Sequence, residues 1–269
     1  GSPTQASGND EIGPVDVANA LDRGEMELYL QPIIAAVEHS VEQLEALIRW
    51  HHPSGELWTP DKFLPIAERD EGVINKLSAW VIDSALGHYR QFAAYGMRIP
   101  VAVNISGANL RSLDFPDQVA ALVENAGVPT SALVFEVTES VAVADELTTA
   151  DVLTRLRLKG FELAIDDLGT GYSSLSTLRR MPFSQVKLDK SFVDGLTTSH
   201  DSLAIVLSMI NLAQSMGLTS VAEGVENAET ARLLTDRGID RLQGYYYTRA
   251  LPYEELVAWL KNWEAERGR

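Results

Sequence analysis

Eight short apolar runs alternating with longer amphipathic stretches constrain this chain more than any other feature of it. The runs are Glu27-Ile34, Val41-Trp50, Ile99-Ile105, Ala132-Thr138, Glu162-Asp166, Gln185-Leu188, Thr219-Ala222 and Arg241-Tyr246, and their length and alternation read as strands. Between the second and third, Ile74, Leu77, Val81, Ala85, His88 and Phe92 recur every three or four residues, as one buried helical face requires. Further helical patterns cover residues 116–126, 145–159, 202–216, 227–237 and 253–265, and Val15 to Arg23 reads as a short helix ended by Gly24. Strands alternating with helices predict a parallel α/β barrel. Only Ala36 to Ser40 joins the first two strands, too short for a crossover helix, so that pair is expected to run antiparallel. A doubly wound open sheet is disfavoured, because no Gly-x-Gly-x-x-Gly fingerprint follows the first strand.

A chain of 269 residues, 45% of them hydrophobic, is long enough for one large barrel domain. Gly1-Ser2 reads as the remnant of a removed tag, and residues 1–14 as a polar linker behind which an upstream regulatory domain is expected. The folded domain is expected over residues 15–265, with residues 266–269 a short tail. Cysteine is absent, which excludes disulfides, zinc-thiolate sites and thiol nucleophiles. No apolar stretch approaches the roughly 18 residues of a membrane span, and no secretory signal pattern opens the chain. The expected setting is the cytoplasm, either for the chain itself or as the cytoplasmic part of a larger protein. A formal charge of −16 argues against a long nucleic acid as partner, since those are bound through basic surfaces. A small phosphate ligand remains compatible if metal ions offset the charge.

Chemistry in a barrel sits on the loops after the strands, so polar residues interrupting apolar runs near strand ends are the informative ones. Glu45, Asn104, Glu136, Asp166, Asp167, Lys187, Glu223 and Gln243 all do so. Period-two alternation puts Asn104 on one face with Ala102, and Asp166 on one face with Ala164, while the bulky neighbours point the other way. Asp166 and Asp167 cannot both point inward from a regular strand, so Asp167 is expected to reach the site from the turn. Any one of these residues alone would read as an ion pair or a satisfied turn. Five carboxylates and an Asn at one barrel end are different, because they repel one another unless cations neutralise them. Oxygen-rich ligands without His or Cys favour Mg2+ or Mn2+ over zinc. With Lys187 nearby, two ions roughly 3.5–4 Å apart would serve in-line phosphoryl chemistry, and the inferred reaction class is phosphodiester hydrolysis. His51 and His52 read as loop residues, and the apolar stretch over residues 202–216 as a buried helix whose breadth also suits a subunit contact.

Glu45-Ala46-Leu47-Ile48-Arg49-Trp50 resembles the signature of the EAL-domain cyclic di-GMP phosphodiesterases, and seven further blocks follow the same pattern. They are Gln31-Pro32-Ile33, Val103-Asn104-Ile105-Ser106, Glu136-Val137-Thr138-Glu139-Ser140, the stretch from Asp166 to Ser174, Lys187-Leu188-Asp189, Ala222-Glu223-Gly224-Val225-Glu226, and Gln243-Gly244-Tyr245. The resemblance runs from about Val15 to Leu260. It implies a modified TIM (β/α)8 barrel with one antiparallel strand near its start, hydrolysing cyclic di-GMP to linear pGpG with two divalent cations, Mg2+ or Mn2+. Glu45, Asn104, Glu136 and Asp166 would hold one ion, and Asp166, Asp167 and Glu223 would hold or approach the second. Lys187 would orient or help activate the attacking water, with Glu223 and Glu45 the other catalytic groups. Gln243 would lie beside water and phosphate, Arg49 and Asp189 would contact substrate, and Gln31 and Leu47 would line the guanine cleft. Glu139 would tether the loop from Asp166 to Ser174, and Glu226 would act from behind the metal ligands. A homodimer is implied, linked to the metal site through that loop and the helix after it. Ca2+ is expected to inhibit, its larger and looser coordination misplacing the water. Leu168 stands where the family often has Phe, and the hairpin at Ala36 to Ser40 lacks the family's usual Gly. No metal-ligand position is replaced, which favours an enzyme over a slow cyclic di-GMP receptor and over a partner-binding scaffold.

Overall fold

A computed structural model of the chain describes residues 12–144, 146–169 and 179–267. Nine strands form one sheet: β1 (Met26–Ala35), β2 (Val41–His51), β3 (Leu57–Trp58), β4 (Val101–Asn104), β5 (Leu133–Thr138), β6 (Glu162–Leu168), β7 (Gln185–Leu188), β8 (Thr219–Ala222) and β9 (Arg241–Leu242). Their order is β1-β9-β8-β7-β6-β5-β4-β2-β3, and a further pairing of β1 with β2 closes the first eight-membered ring, leaving β3 outside it. Every pairing from β2 through β4 to β9 is parallel. β1 is antiparallel to both of its neighbours, β2 and β9. The barrel therefore has the one reversed strand that the short Ala36–Ser40 connection demands.

Strand parity sorts the side chains. Val101, Val103, Leu133, Phe135, Val137, Leu163 and Ile165 face outward into the main core, where Phe135 meets Phe115 and Phe161 edge-on at 6.1 and 5.3 Å. Each such fully buried side chain stabilises the fold by about 1.5–3 kcal/mol. Ala102, Val134 and Ala164 face the other way and form a separate small apolar cluster. These small side chains fill the barrel axis and leave room above them for longer polar ones. On the outside, the helix Glu71–Ala94 presents the forecast face, with Ile74, Leu77, Val81, Ala85 and Phe92 buried. Asp70 starts it by accepting bonds from Gly72 N and Val73 N, which satisfies two of the first-turn donors. His88, placed on that face by spacing, is only half-buried and stacks on Tyr253 at 5.2 Å.

The sheet departs from the sequence reading in its last strand and in one added strand. The last strand is expected over Arg241-Tyr246, but only Arg241–Leu242 pairs as strand. Gln243 still bonds to Ala222 O at 2.9 Å, and then the chain turns because Gly244 lies against the backbone of Val225. A Cβ at Gly244 would fall 2.1 Å from Val225 O, so only glycine permits this close approach. β3 is absent from the sequence reading. It is a two-residue extension in which Trp58 pairs with Trp50 and Leu57 with His51.

Candidate active site

The inward faces of eight strands and their continuations deliver the polar residues to one end of the barrel. Glu45 sits on β2 in register with Gln31 on β1 and Ala102 on β4. Asn104 pairs with Glu136, and Thr138 with Asp166, so each successive strand lifts its polar residue above the alanine belt. Lys187 comes from β7, Glu223 from the residue after β8, and Gln243 from the residue after β9. Glu45, Glu136, Lys187, Gln31 and Gln243 are all buried.

The carboxylates converge on the Lys187 ammonium. Its Nζ lies 2.7 Å from Glu223 Oε1, 2.8 Å from Glu136 Oε2, 3.4 Å from Glu45 Oε2 and 3.9 Å from Asp166 Oδ1, and its side chain is 1% exposed. Glu45 also accepts from Gln243 Nε2 at 2.6 Å and from Asn104 Nδ2 at 3.3 Å. Gln243 Nε2 lies 3.3 Å from Gln31 Oε1 as well, and Gln31 Nε2 donates to Thr248 O at 3.0 Å. Two buried oxygens in this cluster, Glu136 Oε1 and Gln243 Oε1, have no hydrogen-bond partner. Both are acceptors, so the cluster is short of positive charge or donors rather than of lone pairs.

The ionisation of the group says the same. Burial pushes the Glu136 carboxyl well above the ordinary range, with Lys187 opposing and Glu45 and Asp166 adding to the rise. Burial likewise lifts Glu223 to about 8, Lys187 again opposing. Asp166 is raised by burial and by the nearby Glu45, against the pull of Lys187, and Asp167 is raised by burial and by Asp166. For Glu45 burial is outweighed by Lys187 and by the bonds from Gln243 and Asn104, which hold it below its usual value. Burial would lower Lys187, but Glu136, Glu223, Glu45 and Asp166 together hold its ammonium well above the usual lysine range. One ammonium therefore does not neutralise the carboxylates gathered around it.

A divalent cation fits this donor set, which is all oxygen, negatively charged and left with unused acceptors. Among the described residues, no three His, Asp or Glu side chains stand around a common point as a finished metal cage would have them. They stand around the ammonium instead. The residues that would hold an ion are Glu45, Asn104, Glu136, Asp166, Asp167 and Glu223.

The sequence places Asp167 in the turn after the strand. The structure corrects this: β6 runs through both acids to Leu168, and the register against β7 slips between Ile165 and Leu168. Asp167 takes φ 58° in that bulge, a left-handed conformation that Asp tolerates better than most residues, and its N–H donates to Asp166 Oδ1 at 2.9 Å. The extra residue of the bulge is what allows adjacent acids to share one end of the barrel. Gly169 N then donates to Glu139 Oε2 at 2.8 Å, which anchors the chain leaving the bulge. The remainder of the glycine-rich loop expected to regulate the site, residues 170–174, lies outside the described residues.

Above the buried cluster is a cavity of about 280 Å³ lined by Gln31, Glu45, Leu47, Asp166, Glu223, Gln243 and Tyr245, with Lys190 and Glu226 at its edge. A second, more apolar cavity of about 340 Å³ shares Leu47 with it and is bounded by Ile48, Leu64, Val81, Asn104, Ile105 and Thr138. Leu47 forms the wall between the two. Arg49 curls back to donate to Ile48 O at 2.9 Å and stands 5.5 Å over the Tyr29 ring. Asp189 accepts from Ser191 N at 3.0 Å and so starts the short helix Lys190–Val193. Glu226 pairs with Lys190 at 2.5 Å. Tyr245 and Lys190 were not singled out by the sequence reading. Arg249 caps Tyr245 from 3.9 Å, and Gly224, with φ 67°, lets the Lys190 stem cross where a Cβ would fall 2.3 Å from Lys190 Cγ.

The fold and site together are a closed α/β barrel with one reversed strand and an acid cluster gathered around a buried lysine at its mouth. The chain belongs to the EAL domain family, whose profile matches residues 15–250. It is 38% identical over 247 residues to the cyclic di-GMP phosphodiesterase NbdA of Pseudomonas aeruginosa, an alignment covering 91% of this chain and 31% of that protein. The cyclic di-GMP phosphodiesterase RocR of the same organism is 36% identical over 242 residues, covering 90% of this chain and 62% of RocR. The chain thus spans about a third of the length of NbdA and under two thirds of RocR. Among solved structures, the phosphodiesterase PaMucR in complex with c-di-GMP superposes with a TM-score of 0.85 at 37% identity, covering 90% of this chain and 98% of that one.

Proposed function

We propose that this chain is a metal-dependent phosphodiesterase that hydrolyses cyclic di-GMP to linear pGpG. The observation that carries the reading is the mouth cluster itself: four carboxylates within 4 Å of one buried ammonium, with Glu136 Oε1 and Gln243 Oε1 still without partners. Such an excess of acceptors is costly unless divalent cations complete it. The named substrates of NbdA and RocR, and the c-di-GMP bound to PaMucR, supply the identity of the phosphodiester.

When bound, Mg2+ or Mn2+ would polarise the phosphoryl oxygens and supply the nucleophile at neutral pH. The chain's own residues do the rest. Glu45, Asn104, Glu136, Asp166, Asp167 and Glu223 hold the charge at fixed positions on rigid strand ends. Lys187 offers an ammonium proton toward the water and the phosphate, and Gln243, fixed between Glu45 and Gln31, positions its amide beside them. Leu47 and Gln31 take up the base, and the two cavities that meet at Leu47 give room for a ligand with two bases. Arg49 and Asp189 contact substrate after leaving their present intrachain bonds. Glu139 holds Gly169, and through it the bulge carrying Asp166 and Asp167. Glu226 acts through Lys190 rather than on the ion. The working unit is a homodimer regulated by an upstream domain, acting in the cytoplasm or on its side of a membrane. Among the described residues no helix is long and apolar enough to cross a membrane.

The test is incubation of the purified protein with cyclic di-GMP and Mg2+ or Mn2+, following pGpG by chromatography. Conversion in either metal and inhibition by added Ca2+ are expected. Tight binding of the dinucleotide with no product in either metal would instead identify a receptor.

A further inference from the structure

The carboxylates that should hold a divalent ion already share a cation. Lys187 has three ammonium protons, and two of them are spent at full charge-assisted distances, 2.7 Å to Glu223 and 2.8 Å to Glu136. Glu45 and Asp166 complete the ring at 3.4 and 3.9 Å. Mg2+ requires oxygens at about 2.0–2.1 Å in near-octahedral array. The same oxygens cannot close around an ion at that distance while they remain drawn to an ammonium in their midst, and the two cations repel.

We propose that Lys187 is the resident counter-ion of the metal-free site, and that a divalent cation binds by exchange, drawing carboxylates off the ammonium. This rests on the metal-dependent reading of the same site and adds an order of events to it. Glu136 Oε1, buried and without a partner, is an unused lone pair inside the cluster that the ion can take up. As Glu223 and Glu136 turn to the ion, the ammonium loses its two short bonds and its protons face the space above the acids. Lys187 thereby becomes available to water and phosphate only after the site is loaded. It is a positioning residue in the empty protein and a substrate-side group in the loaded one.

The test uses the whole chain as wild type, Lys187→Met and Lys187→Arg, with Mn2+ binding read by calorimetry at one pH and the metal-free melting temperature recorded for each. Exchange predicts that Lys187→Met binds Mn2+ at least tenfold more tightly than wild type while melting several degrees lower without metal, with Lys187→Arg close to wild type in affinity. Equal or weaker Mn2+ binding by a folded Lys187→Met protein overturns the counter-ion role and leaves metal-dependent hydrolysis standing. No Mn2+ binding in any of the three overturns both. A readout that does not depend on the variants folding is the side-chain ammonium resonance of Lys187 in wild-type protein labelled with 15N-lysine. It should shift with the same midpoint as Mg2+ binding, and an unchanged signal at saturating Mg2+ overturns the exchange.

Discussion

The two ends of the barrel interior are both polar, and they are built on opposite principles. At the mouth, Glu45, Glu136, Asp166 and Glu223 surround a single ammonium. At the floor, below the belt of Ala102, Val134 and Ala164, the buried polar side chains are the amides Gln43 and Gln185. Arg241 donates to Gln43 Oε1 at 3.1 Å and lies 3.6 Å from Glu42, while Gln185 Nε2 donates to Glu162 Oε2 at 2.9 Å. The floor also leaves buried atoms unpartnered, Gln43 Nε2 and Gln185 Oε1, but these are one donor and one acceptor on neutral amides. Polarity at a strand end therefore does not mark a site. An uncompensated sign of charge does, because only the mouth demands something from outside the chain to balance it.

The largest test of that contrast is Glu45→Ala, which removes a carboxylate that the proposed ion needs. Turnover of cyclic di-GMP should fall by at least about 10³-fold, several kcal/mol of transition-state stabilisation. Thermal melting without metal should change little, because one repulsion among the acids is lost along with the bonds from Gln243 and Asn104. Unchanged turnover would remove Glu45 from the metal set.

A second, intermediate effect is in the pH dependence. Glu223 holds its proton up to about 8 in the folded protein, against an ordinary value of 4.5 in the unfolded chain. Across that window the folded state binds the extra proton, so the Glu223 contribution to stability is present at low pH and is lost as pH climbs toward about 8. The metal-free melting temperature should accordingly fall between pH 6 and pH 8.5, and Mg2+ should restore it most at the alkaline end. Glu223→Gln should flatten the profile. A melting temperature that rises over this range would mean that the mouth acids are better compensated than their geometry implies.

The smallest effect belongs to the floor. Gln43→Leu removes one bond to Arg241, which keeps Glu42, and also removes a buried donor without a partner. Stability should stay within about 1 kcal/mol, or a shift of about 2–4 °C in melting, with turnover within about twofold of wild type. A loss of turnover rivalling that of Glu45→Ala would erase the distinction between the two ends.

Much of the barrel was legible because period two and a five-residue connection leave little choice. Asn104, Glu136 and Asp166 fall on the inward face by counting alone, and β1 is reversed because Ala36 to Ser40 cannot hold a crossover. What escaped depended on contacts distant in sequence. Nothing local to Arg241-Tyr246 shows that Gly244 will meet the backbone of Val225 and end the strand. β3 was detectable in principle, since Pro53-Ser54-Gly55 is a turn signal followed by Leu57 and Trp58. The division between Asp166 and Asp167 was anticipated, but its device was a left-handed residue inside the strand rather than a turn beyond it. Parity also puts Lys187 inward without revealing that four acids from other strands would close on it.

The reversed β1 has a consequence for how the site comes into being. Its partners are β2, a few residues away, and β9, near the far end of the fold, and Leu30 and Leu251 exchange backbone bonds of 2.8 and 3.0 Å. The bonds that fix Gln243 to Glu45 and to Gln31 span 198 and 212 residues. Closures of that length are entropically late events. During synthesis the acids of β2 to β6 emerge long before the strand that completes their ring, so a half-made chain carries the charges but not the pocket. Catalytic competence would then report on completed closure, a property of the finished circle that none of its arcs possesses.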